Sequence, residues 1–122
     1  MTKFFGTDGI RAKAGEFPLN YNSIFLIGKA LVSILNEETG KAPTILIGRD
    51  TRESGAWMEQ ALCAGIKSEN GKFHSAGIIP TSAIAYLTAK FKYSAGIVIS
   101  ASHNPFYDNG IKIFSSKGTK IR

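Results

Sequence analysis

The chain has 122 residues, 43% of them apolar, and its 15 lysines and arginines outnumber its 9 aspartates and glutamates for a formal charge of +6. One domain of ordinary soluble composition fits that length, and it can bury roughly two-thirds of the surface its unfolded form exposes. No apolar run reaches the ~18 residues of a membrane helix, the opening Met1-Thr2-Lys3-Phe4-Phe5-Gly6 lacks the apolar stretch of a signal peptide, and a single cysteine, Cys63, excludes an internal disulfide and suits a reducing, cytoplasmic setting.

The chain opens on a glycine-bearing turn, Phe4 to Arg11, that leads into a strand. Asn20 is placed to cap a helix in which Ile24, Ile27, Leu31, Ile34 and Leu35 recur at helical spacing, and Thr39-Gly40 closes it. Thr44-Ile45-Leu46-Ile47-Gly48 is a short continuous apolar run, the pattern of a buried strand. Ser54 is expected to cap a second helix with Met58, Ala61, Leu62 and Gly65 on one face, ending near Asn70-Gly71. Phe73 to Ile79 reads as a strand, and Thr81 as the cap of a third helix that buries Ile84, Leu87 and Phe91. Ala95 to Ser100 is another buried strand, and Gly110 to Phe114 alternates as a half-exposed one. Strands separated by helices imply a layered α/β domain with crossover connections. Ligands in such sheets sit beyond the carboxyl ends of the strands. Gly48 to Arg52, Ile79 to Thr81 and Ser100 to Pro105 lie at such ends, and parallel strands would bring them to one rim.

The basic balance favours anionic partners, and it is equally what one basic piece of a larger, more acidic protein shows. The stretch from Lys112 to Arg122 ends without a helix stop or an acidic tail, so it reads as a cut rather than a natural end.

Three segments carry chemistry. In Gly96-Ile97-Val98-Ile99-Ser100-Ala101-Ser102-His103-Asn104-Pro105 a buried strand delivers a turn of small residues holding Ser102, with Pro105 suited to a first helical position. Backbone amides in such a turn form an anion site, so Ser102 is well placed to carry a phosphoryl group. The same residues are also good turn formers with no further role. A Ser102-His103-Asp108 triad is a poor reading, because a histidine next to its serine rarely reaches that hydroxyl and Gly-x-Ser-x-Gly is absent. In Phe4-Phe5-Gly6-Thr7-Asp8-Gly9-Ile10-Arg11 the glycines allow close backbone approach and Arg11 can hold a phosphate bidentately, although no P-loop pattern occurs. In Asp108-Asn109-Gly110-Ile111-Lys112 the Asn-Gly pair suggests a hairpin turn. That turn would put Lys112 at the start of a returning strand, where it can neutralise phosphate or move a proton, or simply be a solvated lysine.

Taken together the segments resemble the α-D-phosphohexomutases. Phe5 to Arg11 is similar to that family's opening motif, Gly48-Arg49-Asp50-Thr51-Arg52-Glu53-Ser54-Gly55 to its second landmark, and Ile99 to Lys112 to its active-serine loop, in the right order along nearly the whole chain. Within the family, Phe106-Tyr107-Asp108 resembles the branch acting on glucosamine phosphate rather than glucose or mannose phosphate. Ala12 departs from the family, which usually has glycine there, as does Ser82, where a second proline is common.

The resemblance implies a three-layer α/β/α domain with a mixed, mostly parallel sheet, residues 1–122 being the family's first domain. It implies that Ser102 is the phosphoserine, that Lys112 and Arg11 stand beside it as proton mover and electrostatic support, and that His103 lines the same loop. It implies Mg²⁺, held by phosphorylated Ser102 and by aspartates of a further domain. The partners it implies are a hexosamine phosphate, its bisphosphate and the remaining domains of the same chain, with no nucleic acid and no membrane. The reaction would interconvert glucosamine 6-phosphate and glucosamine 1-phosphate, on the route to the amino-sugar nucleotide of cell-wall synthesis. No Asp-x-Asp-x-Asp cluster occurs, so the 122 residues alone are expected to be inactive. The alternatives are a hexomutase for glucose or mannose phosphate, and a basic nucleic-acid-binding module.

That last alternative rests on Lys90-Phe91-Lys92-Tyr93, which interleaves charge and aromatics, although Phe91 also fits the buried side of the third helix. Cys63 reads as a small buried hydrophobe, His74 as an isolated histidine, and Trp57 as packing or a contact with a further domain, while the family resemblance implies that Arg49, Asp50 and Arg52 orient nearby loops.

Overall fold

The structure, a computed structural model, describes residues 10–101 and 108–119, and of Arg11 the backbone alone. Among the described residues the chain order is β1 (Ile10–Lys13), α1 (Tyr21–Thr39), β2 (Thr44–Arg49), α2 (Gly55–Ser68), β3 (Lys72–Ile78), α3 (Thr81–Lys90), β4 (Ala95–Ile99) and β5 (Asp108–Ser115). The strands form one sheet in the order β1-β5-β4-β2-β3. β2 pairs in parallel with both β3 and β4, while β5 runs antiparallel to both of its neighbours, β4 and β1. Four strands therefore point one way and β5 alone points back, which is the mixed, mostly parallel sheet expected.

Alternation along the strands builds the layers. Ile97 faces Ile113 across β4 and β5, and Ile99 faces Ile111, which in turn faces Ile10 of β1. This isoleucine ladder is buried with Ile24, Leu31 and Val32 of α1 and Met58, Leu62 and Ile66 of α2. The opposite pleats, Leu46, Val98 and Phe114, pack on Ile84 of α3. Helices thus cover both faces of the sheet. None of those described is long and apolar enough to cross a membrane.

Helix α1 follows its sequence signals. The Asn20 side chain accepts from Ser23 N at 3.0 Å, and Gly40 ends the helix in the left-handed region at φ 72°, where its N–H reaches Asn36 O. Ile34 is the exception on its apolar stripe and is exposed.

Elsewhere the structure corrects the expectations. Ser54 precedes α2, but its side chain makes no capping bond, and α3 is preceded by Pro80, with Thr81 already helical. Phe91 is the residue after α3 and is 63% exposed, so burial does not account for it. Lys90 Nζ instead lies 5.4 Å from the Tyr86 ring centre and 5.8 Å from that of Phe91. Strand β5 is largely buried rather than half-exposed, because helices cover the sheet on both sides.

Cys63 is half-buried against the α1/α2 core, with Trp57 packed on the same cluster. Burial first and the Glu59 carboxylate second push its thiol up to about 11, with Lys67 pulling the other way. The reactive thiolate is therefore scarce at neutral pH. Iodoacetamide should label Cys63 far more slowly than a free cysteine at pH 7, with a rate that climbs about tenfold per pH unit toward the thiol's own value. Rapid labelling at neutral pH would contradict this placement.

Candidate active site

Parallel β2, β3 and β4 end side by side, Arg49 pairing with Ile78 on one side and Ile99 on the other. Backbone bonds then fasten the segments beyond them. Asp50 N donates to Ile99 O, and Ile79 N to Arg49 O, each at 3.0 Å. The ends of the three strands, with Asp50, Ile79 and Ser100 just beyond them, meet on one rim, as parallel pairing requires, while residues 102–105 of the third segment lie outside the described residues. Strand β1 points the same way, and its last residue, Lys13, lies opposite Asp108, the first of β5.

Ser102 and His103 lie outside the described residues, as do residues 1–9 of the opening motif. The structure does describe the frame on either side of residues 102–107. Ser100 and Ala101 are buried at the end of β4, and Ser100 N donates to Gly110 O at 3.0 Å. Across β5, the register places residue 11 opposite Gly110. Residue 11, Gly110 and Ser100 therefore form one row across three neighbouring strands, and Ser100 is two residues before Ser102 in the chain.

Lys112 is opposite Val98 and half-buried on the α3 side of the sheet, two residues along β5 from Gly110, about 7 Å of strand. It lies mid-strand, not at the strand's start, because Asn109-Gly110 is not the hairpin turn. Both residues are already inside β5, and the chain doubles back before Asp108. Asn109 is fully buried. Its Nδ2 donates to Ser54 Oγ at 2.8 Å, and its Oδ1 accepts from Gly110 N at 2.9 Å. The sequence reading missed this contact. The same dipeptide that signals a turn here supplies a buried carboxamide.

The second landmark is held by its own charges. Arg49 Nη1 donates to Glu59 Oε1 at 2.8 Å, and both side chains are mostly buried. Arg52 pairs with Asp50, whose Oδ1 also accepts from Arg52 N at 3.0 Å. These contacts fix the loop between β2 and α2, which agrees with reading Arg49, Asp50 and Arg52 as loop-orienting residues. His74 Nδ1 and the Tyr93 hydroxyl are 2.7 Å apart, away from the rim. Mg²⁺ is typically held through one or two carboxylates together with phosphate oxygens and water. Among the described residues no group of three or more His, Cys, Asp or Glu is assembled to hold a metal, and Ser102, whose phosphate is the expected ligand, lies outside them.

Residues 2–122 match the family model described as phosphoglucomutase/phosphomannomutase, alpha/beta/alpha domain I. The chain is 52% identical over 121 residues to the phosphoglucosamine mutase of Koribacter versatilis, covering 99% of this chain and 26% of that protein. It is 52% identical over 119 residues to the phosphoglucosamine mutase of Aeromonas salmonicida, covering 98% of this chain and again 26% of the relative. Among solved structures, a putative phosphomannomutase from Thermus thermophilus superposes with a TM-score of 0.84 at 24% identity, over 96% of this chain and 26% of that one. A phosphoglucomutase/phosphomannomutase family protein from Burkholderia thailandensis gives 0.79 at 26% identity, over 97% and 27%. The chain thus spans about a quarter of the length of the proteins it matches. Its sheet order, its rim and its match along residues 2–122 agree, and the chain belongs to the phosphoglucomutase/phosphomannomutase family, the α-D-phosphohexomutases, through that family's first α/β/α domain.

Proposed function

We propose that residues 1–122 are the serine-carrying domain of a phosphoglucosamine mutase, and that Ser102 exchanges a phosphoryl group with the sugar. The observation that carries this reading is the 52% identity to a phosphoglucosamine mutase along 121 residues. The geometry supports it. The segment holding Ser102 leaves a buried strand at the carboxyl-end rim, and the two strands next in the sheet carry Lys112 and Arg11.

Phosphoryl transfer asks for an in-line nucleophile and fixed positive charge on the transferring oxygens. A sugar hydroxyl would attack phosphorus as the bond to Ser102 Oγ breaks, the hydroxyl proton passing to a nearby base while the departing serine oxygen keeps the bonding pair and takes up a proton. The reverse half-reaction returns that proton, so one group must serve as base and then as acid. Lys112 is the candidate for that group, Arg11 for holding the phosphate, and His103 for lining the loop. A magnesium ion, when bound, would neutralise charge on the phosphate, with carboxylates supplied from beyond these residues. The domain alone is then expected to show no turnover.

The test is a substrate comparison on the full-length protein that carries this sequence, primed with hexose bisphosphate. The reading expects glucosamine 6-phosphate to give a higher kcat/KM than glucose 6-phosphate or mannose 6-phosphate. A preference for either of the latter would reassign the substrate, and turnover of none of them would defeat the proposal.

A further inference from the structure

The buried carboxamide of Asn109 has no part in the chemistry outlined above, yet it joins the elements that frame the serine segment. Asn109 Nδ2 reaches Ser54 Oγ, 55 residues away in sequence, at 2.8 Å. Its Oδ1 accepts from Gly110 N, whose own carbonyl receives Ser100 N. Across β1 the residue opposite Asn109 is Ala12, next to Arg11. Ser54 in turn closes the loop that starts at Arg49 and is tied to β4 through Asp50 N and Ile99 O. Ser54 itself has helical backbone angles and makes no side-chain cap on α2, so its hydroxyl contributes to this tertiary bond and not to the helix end.

Resting on the proposed phosphoryl-carrying role of Ser102, we infer that Asn109 is a positioning residue: its bond to Ser54 locks the base of the β4–β5 hairpin to the start of α2 and so fixes where Ser102 is presented. The polar path runs Ser54, Asn109, Gly110, Ser100, and Ser100 is two residues from Ser102 in the chain. Lys112 is on the same strand as Asn109, so the clamp would also bear on the candidate proton mover. Reaction rates are steep in such placement, a shift of about 1 Å costing roughly a hundredfold.

Ser54→Ala removes the acceptor without taking a cap from α2, and is therefore a gentler probe than replacing buried Asn109 itself. In the full-length enzyme Ser54→Ala is expected to lower kcat roughly ten- to a hundredfold, with KM for glucosamine 6-phosphate changed by less than about twofold and the melting midpoint lowered by only a few degrees, since Asn109 Nδ2 is left without that acceptor. Ser54→Thr, which restores the hydroxyl, is expected to return most of kcat. Unchanged kcat in Ser54→Ala would overturn the assignment, as would a kcat loss that tracks unfolding or that Ser54→Thr does not rescue. The phosphoryl-carrying role stands or falls separately, on whether Ser102→Ala abolishes phosphorylation in the otherwise unaltered protein.

Discussion

Replacing Lys112 with methionine is expected to slow phosphoryl exchange between Ser102 and the sugar by about 10²- to 10⁴-fold, the range lost with a general acid–base group. Lys112 is one of the few charged residues placed inside the sheet, on a largely buried strand between Gly110 and Phe114. Methionine keeps the length and the apolar stem that lies along the α3 side, and it removes only the ammonium group. The loss should therefore appear in kcat with the melting midpoint close to that of the parent. Arginine at the same position would preserve charge but not proton transfer, because its guanidinium stays protonated. A methionine variant that retains parental kcat would remove Lys112 from the mechanism, and an arginine variant of full activity would reduce its role to charge.

Gly65→Ala is expected to destabilise the domain by about 3 kcal/mol or more, even though alanine is the better helix former by ~1 kcal/mol. The sign is decided at the crossing of α1 and α2. A Cβ on Gly65 would lie 2.0 Å from Phe25 O and 2.9 Å from Lys29 N, and one on Gly28 would lie 2.5 Å from Leu62 O. These obstacles are backbone atoms, which cannot swing aside as a side-chain end can. The helices must separate, and that opens the core of Leu31, Val32, Met58, Leu62 and Ile66 that they close together. Thermal unfolding should show the midpoint falling by roughly 10 °C. A midpoint that rises would mean that helix propensity outweighs the close approach and that α1 and α2 do not cross where the structure places them.

The elements were legible wherever the cause was local. Apolar runs such as Thr44 to Gly48 and Ala95 to Ser100 announce strands buried on both faces, and they are strands. Asn20 and Gly40 mark the ends of α1 because a cap acts on amides and carbonyls within a turn of itself. What remained illegible was set by distant partners. Ser54 looks like a cap by its type and place, but its hydroxyl is taken by Asn109 from another strand. Asn109-Gly110 looks like a turn, but burial against β1 and α2 keeps it in the sheet. Phe91 continues the helical spacing of Ile84 and Leu87, but the helix stops one residue short and leaves the ring in solvent beside Lys90. The rim itself followed from the sequence only on the condition that the strands be parallel, and the pairing of β2 with β3 and β4 meets that condition. Local chemistry offered phosphate roles for Ser102, Arg11 and Lys112 beside plain structural alternatives, and the motif resemblance was what joined them and His103 into one expected site.

Everything chemical in this account depends on Ser102 as the phosphoryl carrier, and mass spectrometry addresses it directly. The full-length protein, treated with phosphatase and then with glucosamine 1,6-bisphosphate and Mg²⁺, should gain the mass of one phosphoryl group, and peptide mapping should place it on Ser102. The Ser102→Ala protein should gain none. A phosphoryl group mapped to another residue, or one still acquired by the alanine variant, would contradict the account.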